Sequence, residues 1–362
     1  MSETASSAPF MPPRRRETFL ARYPRKLKLA VTAGILLLLT LPPVGIHLWI
    51  HHRPSQKNQD KIVAETDEPK QTIPEPLPEQ SMSIDLHATP VNDQNDPSIK
   101  LVAAPDSRVT EETPTGSLPK RSETGLAPWQ VYARPFDPID RRPRIAIVVA
   151  DLGYGKVLTD RAIDTLPPTV TLALRAQSPV VGAWVARARQ VGHEILLQIP
   201  MEPFDYPNSD PGPDTLLTSL PNEDNLLRLK NMMTRATGYV GITTLSGARM
   251  ATNARKYDPI LQQMRERGLL ILDARAAPHS IVADLATAAH VPVARTAQRL
   301  GSDLRPDEID EALVYLERTA ARAGSAVGVV EATPLVLAHL QEWSKTLPQR
   351  GFALAPVSAV VQ

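Results

Sequence analysis

Regular alternation between two kinds of segment constrains the fold of this chain more than any other feature of its sequence. From residue 144 onward, short apolar and β-branched runs alternate with amphipathic runs of helical length. Such alternation predicts a parallel α/β domain, either doubly wound or closed into a barrel of seven or eight strands. The predicted strands are 144–150, 169–174, 194–200, 238–244, 268–274, 290–295, 325–332 and 352–358. The predicted helices are 159–166, 179–191, 221–236, 258–268, 281–289, 305–324 and 333–351.

The N-terminal segments predict a membrane anchor. Residues 1–26 contain clustered arginine and lysine side chains, and residues 27–50 form an apolar run about as long as a bilayer-spanning helix. The positive-inside rule makes residues 1–26 a cytoplasmic tail and directs the rest of the chain to the periplasm of a bacterium. A single-pass protein of the inner membrane is therefore expected. A removed signal peptide is the alternative, although no small-x-small cleavage site follows the run.

Residues 51–141 are predicted to form a disordered linker. They are rich in proline and in charged and polar residues, and they show no apolar period that could build a core. Near the end of this segment, Trp129, Val131, Tyr132 and Phe136 form an apolar cluster that either packs on the folded domain or binds a partner. The folded domain is then expected to span residues 142–362.

Composition excludes several classes of function. The chain has no cysteine, so disulfides, thiolate metal sites and a cysteine nucleophile are excluded. Its formal net charge of +1 gives no basis for a nucleic-acid partner. The catalytic serine motif G-x-S-x-G and the zinc motif H-E-x-x-H are both missing from the sequence. His193 precedes its strand, so a structural role is expected for it.

Polar side chains follow several predicted strands, at the edge where parallel α/β sheets place their sites. Asp151 follows the first strand and could equally cap a helix or turn a loop. Asp273 and Arg275 could form an ion pair at this edge, and the carboxylates together could hold Mg²⁺ or Ca²⁺ through oxygen if they converge. The candidate site residues are Asp151, Gln198, Glu202, Asp273, Arg275 and Glu331.

Seven sequence pieces in order resemble the divergent polysaccharide deacetylase family, which is related to the NodB-type carbohydrate deacetylases. They are VVADLGYG, PPTVTLAL, GHEILLQIPMEP, GPDTLLTSL, YVGITTLSGAR, GLLILDARA and FALAPVS. The resemblance covers residues 143–362. It implies a distorted parallel (β/α) barrel of about seven strands.

The resemblance also implies metal-assisted hydrolysis, in which an Asp and two His ligands hold a divalent ion and a further carboxylate acts as base. This chain departs from that pattern at most of the ligands. Asp151 matches the metal-binding Asp, whereas Ala150 stands at the base position, and Gln198 and Leu245 replace the two histidines. Val330 and Glu331 stand where the family commonly has a Gly-His pair. Zinc hydrolysis is therefore expected to be lost, with no cofactor bound.

Three functions remain open on this evidence. The favoured one is a degenerate member that binds a cell-envelope glycan or an envelope protein without hydrolysing it. The alternative is an active carbohydrate N-deacetylase with an altered zinc site, for which Asp151, Glu202, Asp273, Arg275 and Glu331 are the candidate catalytic residues. A purely structural tether across the envelope is the third.

Overall fold

The computed structural model of this protein describes Asp96, residues 99–244 and residues 246–362. The predicted cytoplasmic tail, the predicted span at 27–50 and the first half of the predicted linker lie outside these residues. In the described part of the chain, no helix combines the length and the apolar character needed to cross a membrane.

A curled parallel sheet forms the centre of the domain. Its strands are β3 (Arg144–Leu152), β4 (Thr171–Arg175), β5 (Ile195–Gln198), β6 (Gly241–Thr243), β7 (Leu270–Asp273), β8 (Val293–Arg295), β9 (Gln298–Leu300), β10 (Ser325–Glu331) and β11 (Ala353–Ala355). The strand order is β8-β7-β6-β5-β4-β3-β10-β9, and β11 pairs with the start of β3. The eight strands expected from the sequence are present, and β9 is an additional one.

The two edges of the sheet meet in one stretch of chain. β8 pairs in parallel with β7 at one edge, and β9 pairs in parallel with β10 at the other. Only Thr296 and Ala297 separate β8 from β9, and the Ala297 N–H donates to the Val327 carbonyl oxygen at 2.8 Å. Because so short a link cannot span a flat open sheet, the sheet curls into a half-barrel, which we call the barrel below.

Helices cover the outside of this sheet, and one short helix precedes them in the described chain. The short helix is α1 (Pro128–Tyr132), and the outer helices are α2 (Lys156–Thr165), α3 (Val181–Val191), α4 (Asn222–Met233), α5 (Ala254–Arg267), α6 (Val282–Ala288), α7 (Pro306–Ala323) and α8 (Pro334–Thr346). One apolar cluster joins the helices to the outer face of the strands, and a second fills the inside of the curled sheet. The seven helices predicted after residue 144 are confirmed, and Gly268 and Gly324 end α5 and α7 in the left-handed conformation.

The prediction that the linker is disordered as far as residue 141 is wrong for residues 99–141, which we call the N-terminal strap. The strap contains a hairpin of β1 (Thr110–Thr113) and β2 (Gly116–Pro119) and ends with α1. Val109, Val131 and Tyr132 belong to the inner apolar cluster, so the strap closes the barrel at the N-terminal ends of the strands. Its few apolar side chains show no period, yet Val109, Leu118, Val131 and Tyr132 are buried, whereas Val102 and Ile139 stay exposed. The expectation that the cluster around Tyr132 packs on the domain is confirmed.

His193 and Glu194 hold this closed end together and lie away from the C-terminal ends of the strands. Both side chains are fully buried, and the His193 ring nitrogens lie 2.8 and 3.1 Å from the Val170 and Ile163 carbonyl oxygens. Glu194 accepts hydrogen bonds from the Ser358 N–H, the Ser358 hydroxyl and the Arg134 N–H at 3.0, 2.5 and 3.1 Å. Glu194 therefore joins the C-terminal turn to the strap, and the structural role expected for His193 is confirmed.

Candidate functional site

The interior of the barrel changes from apolar to polar at the C-terminal ends of its strands. Side chains alternate between the two faces of a strand, so the inner positions recur every second residue. In β10 the inner residues Val327 and Val329 are followed by Glu331, and in β4 and β5 the last inner residues are Arg175 and Gln198. These three polar side chains line one cleft of about 360 Å³. The cleft thus lies where the sequence placed the site.

The loop after β5 forms the outer wall of the cleft. Pro203, Ser209, Asp210 and Pro211 of this loop line the cleft together with Gln177. The Gln177 side-chain amide donates to the Pro213 and Pro211 carbonyl oxygens at 2.5 and 3.3 Å, which fixes the loop against the end of β4. Ser246 lines the cleft as well. The wall therefore combines groups that form hydrogen bonds with the apolar rings of Pro203 and Pro211.

Asp151 is aimed at this cleft by a distortion of its strand. The register between β3 and β4 shifts between Val149 and Leu152, and Asp151 has a φ of 68°. A residue in this left-handed conformation interrupts the normal alternation of a strand and redirects its side chain. The Asp151 carboxylate consequently reaches two side chains that line the cleft, those of Arg175 and Gln198.

Arg175 and Gln198 hold Asp151 from both sides. The Arg175 Nε donates to Asp151 Oδ1 at 2.5 Å, and a second guanidinium nitrogen contacts the same oxygen. Gln198 Oε1 accepts the Asp151 N–H at 2.8 Å, and its amide Nε2 lies 3.4 Å from Asp151 Oδ1. Side-chain exposures of 34% for Asp151 and 35% for Arg175 leave the pair partly open to solvent. The cation that neutralises Asp151 here is a guanidinium.

This donor set does not fit a zinc ion. Zinc prefers about three protein ligands with imidazole or thiolate among them, whereas the neighbours of Asp151 are an amide and a positively charged guanidinium. A divalent ion bound to Asp151 would also be repelled by Arg175. Over residues 99–244 and 246–362, no three His, Cys, Asp or Glu side chains are grouped closely enough to hold a metal ion. Leu245, the second position matched to a histidine, lies outside the described residues.

Glu331 and Arg299 form a second, looser pair in the cleft. Glu331 is the register partner of Ala150, so its carboxylate rises from the strand next to the position matched to the base. Arg299 donates to Glu331 Oε1 at 3.4 Å, longer than the roughly 2.8 Å of a strong charge-assisted hydrogen bond. Both side chains are partly exposed, at 31% and 27%. A ligand in the cleft would find a donor and an acceptor here.

Glu202 supports the wall of the cleft and does not line it. Its buried carboxylate accepts hydrogen bonds from the Thr218 N–H and hydroxyl at 2.5 and 2.6 Å, and Arg249 Nε lies 3.1 Å from its other oxygen. The preceding residue, Met201, is fully buried and bridges to Leu216. Glu202 therefore connects the segments after β5 and β6, which is a structural role.

Asp273 and Arg275 do not meet through their charged groups. The Asp273 carboxylate accepts the Arg275 backbone N–H at 2.9 Å and the Ser280 hydroxyl at 3.0 Å. Arg275 has a φ of 49°, and it is exposed. The ion pair considered from the sequence is thus replaced by a turn closed through the backbone. Neither residue lines the cleft described above.

Arg175 and Arg299 are the site residues that sequence reasoning missed. Arg175 directly follows the run TVTLAL, so reading the end of that strand as carefully as the others would have found it. Arg299 lies in the three-residue strand β9, which has no apolar run to indicate a strand. Of the predicted site residues, Gln198 and Glu331 line the cleft, and Asp151 lies beside it in contact with Gln198.

The chain is similar to one protein family and to two curated bacterial proteins. The family model described as "Divergent polysaccharide deacetylase" matches residues 147–361. The chain is 23% identical over 206 residues to the uncharacterized protein YibQ of Escherichia coli K12, a match that covers 57% of this chain and 63% of that protein. It is also 23% identical over 207 residues to an uncharacterized protein of Haemophilus influenzae, covering 57% of this chain and 72% of the relative.

A solved structure agrees with the architecture. An uncharacterized protein of Agrobacterium tumefaciens C58, ATU2773, superimposes with a TM-score of 0.66 at 38% identity, covering 68% of this chain and 100% of that one. The residues matched by the family model, 147–361, include Asp151, Arg175, Gln198 and Glu331. The chain belongs to the divergent polysaccharide deacetylase family.

Proposed function

We propose that this domain binds a polysaccharide of the cell envelope in the cleft at the C-terminal ends of its strands and does not deacetylate it by metal-assisted hydrolysis. One observation carries the proposal: the Arg175 guanidinium lies on Asp151, the only residue that matches a metal ligand of the family. Gln198, at the position of a histidine ligand, holds the same carboxylate. The charge that a metal would supply is supplied by an arginine.

The chemistry of the cleft supports a sugar as the ligand. Sugar hydroxyls both donate and accept hydrogen bonds, and the cleft offers two amides, a guanidinium and a carboxylate on Gln177, Gln198, Arg299 and Glu331. A few fixed polar groups on a preformed concave surface are typical of small-ligand sites. The opposite charges of Arg299 and Glu331 cancel, which favours a neutral polyhydroxyl ligand over a strongly charged one.

The first described residues of the chain pack at the end of the domain opposite the cleft. Arg134 donates to the Asp96 carbonyl oxygen at 2.8 Å, and the Ile99 carbonyl oxygen packs beside Gly192, at the N-terminal end of β5. The cleft is therefore not covered by these residues. We also propose that residues 27–50 anchor the protein in the inner membrane and that the domain lies in the periplasm.

Two experiments test this proposal. Protease added to intact spheroplasts should remove the C-terminal domain, and survival of the domain until lysis would overturn the periplasmic topology. Isothermal titration of full-length protein with solubilised peptidoglycan fragments tests the cleft itself. We expect saturable binding that EDTA leaves unchanged, with no acetate released.

Two matched variants test whether that binding takes place in the cleft. Arg175→Gln should weaken binding about tenfold because it removes a cleft donor and frees Asp151, which corresponds to about 1.4 kcal/mol. Arg318→Gln makes the same change of charge on the exposed face of α7 and should leave binding unchanged. Binding that disappears with EDTA would show that the ligand is held through a metal ion. Acetate released from the fragments would show an active deacetylase. Equal binding by both variants would place the ligand elsewhere.

A further inference from the structure

Tyr154 is an exposed aromatic side chain in contact with a residue of the cleft. It is 54% exposed, in the loop between β3 and α2 that directly follows the distorted residues of β3. The centre of its ring lies 5.6 Å from the guanidinium carbon of Arg175, which lines the cleft. The contact is a cation–π interaction, so the ring lies next to the cleft lining.

The backbone that carries Tyr154 is fixed even though the ring is exposed. The N–H of Gly153 donates to the Thr159 hydroxyl at 3.0 Å, and the Gly153 carbonyl oxygen accepts the Ser178 hydroxyl at 2.7 Å. Gly153 has a φ of 108°, a backbone conformation that is strained for residues with a side chain. Its carbonyl oxygen is hydrogen-bonded to the next βα loop through Ser178. The backbone next to Tyr154 is therefore ordered before any ligand arrives, so binding does not have to order this loop.

From this geometry we infer that Tyr154 forms an outer saccharide subsite, so that the cleft takes an oligosaccharide in preference to a single sugar. The inference rests on the proposed glycan-binding function and specifies the length of the ligand. An aromatic ring is rigid and largely apolar, and it matches the C–H face of a pyranose, while the polar cleft holds the hydroxyl groups of the neighbouring sugar. Contact with Arg175 makes the two subsites continuous.

The length of the oligosaccharide provides the test, because only a ligand of more than one sugar reaches the outer subsite. Full-length protein is titrated with N-acetylglucosamine and with its linear dimer and tetramer. Tyr154→Ala should weaken tetramer binding about tenfold and leave monomer binding unchanged, whereas Tyr154→Phe, which keeps the ring, should stay within about twofold of the wild type. Tyr315→Ala removes a comparably exposed ring from α7 and serves as the control.

The outcomes separate the subsite from the function on which it rests. A wild-type protein that binds the tetramer, with Tyr154→Ala unchanged, overturns the outer subsite and leaves glycan binding intact. An equal loss for monomer and tetramer places Tyr154 inside a single-sugar site and also overturns it. A wild-type protein that binds none of the oligomers and none of the peptidoglycan fragments overturns the proposed function and the subsite together. Thermal melts confirm that each variant is folded.

Discussion

Replacing Tyr132 of the N-terminal strap should destabilise the whole domain, although the composition around it indicated a linker. Tyr132 is only 2% exposed and packs in the inner apolar cluster at the closed end of the barrel. Its hydroxyl accepts the Asp106 N–H at 2.9 Å and lies 3.3 Å from the Thr110 hydroxyl. The Arg189 guanidinium carbon lies 5.0 Å from the centre of its ring.

Two substitutions separate the contributions of the ring and the hydroxyl. Tyr132→Ala removes a buried aromatic ring and leaves a cavity, which costs about 3 to 5 kcal/mol. Tyr132→Phe keeps the ring and deprives the Asp106 N–H of its acceptor, which costs about 1 to 2 kcal/mol. For a domain of this size each kcal/mol lowers Tm by about 2 to 4 °C, so we expect a loss of roughly 6 to 20 °C for Ala and roughly 2 to 8 °C for Phe.

Thermal unfolding followed by circular dichroism measures both losses. Ile139→Ala is the control, because Ile139 is 77% exposed in the same strap and should change the free energy of unfolding by less than about 0.5 kcal/mol. If Tyr132→Ala unfolds within about 1 kcal/mol of the wild type, the strap does not belong to the folded domain. The original interpretation of residues 51–141 as a disordered linker would then hold throughout.

Three further predictions concern the fold and the wall of the cleft. Gly241→Ala should prevent folding, because its Cβ would overlap the backbone oxygen of Leu270, whereas Gly155→Ala, with open space around it, should be near neutral by thermal melt. Burial lowers the pKa of His193, so below about pH 6.5 the unfolded chain binds a proton that the folded chain does not, and stability falls as the pH falls. His193→Gln should therefore flatten the Tm profile between about pH 5 and pH 7.5, and an unchanged slope would refute this. Glu202→Ala should cost about 1 to 3 kcal/mol in urea unfolding because buried donors lose their acceptor, and a variant as stable as the wild type would contradict its structural role.

Periodicity predicted the sheet well because each long strand carries its own apolar signal. β3 and β10 are continuous apolar runs, and their assignment needed nothing beyond the sequence. β9 carries no such signal, since the partly buried residues Gln298 and Arg299 pair with β10 only because the sheet has curled. The strap was missed for a related reason, because its apolar residues are spread among prolines and polar residues and gain their partners only from the barrel.

The candidate site was predicted in position but not in geometry. Strand ends placed Asp151, Gln198 and Glu331 at one edge, and in the structure Gln198 and Glu331 line one cleft with Asp151 beside it. The sequence did not show that Asp151 has a positive φ, nor that Arg175 reaches its carboxylate from the next strand. Both depend on the register shift between β3 and β4, which no local pattern encodes.

The central claim is that Arg175 and Gln198 hold the Asp151 carboxylate in place of a metal ion. Tag-free full-length protein should be equilibrated with zinc, dialysed and measured for zinc content, with acetate release from N-acetylglucosamine tetramer followed on the same samples. We predict that the wild type and Asp151→Asn retain the same amount of zinc, so that no zinc is bound through Asp151. We also predict that neither releases acetate above background. One zinc per chain in the wild type, with both the zinc and the acetate release lost in Asp151→Asn, would contradict the claim and show a working deacetylase.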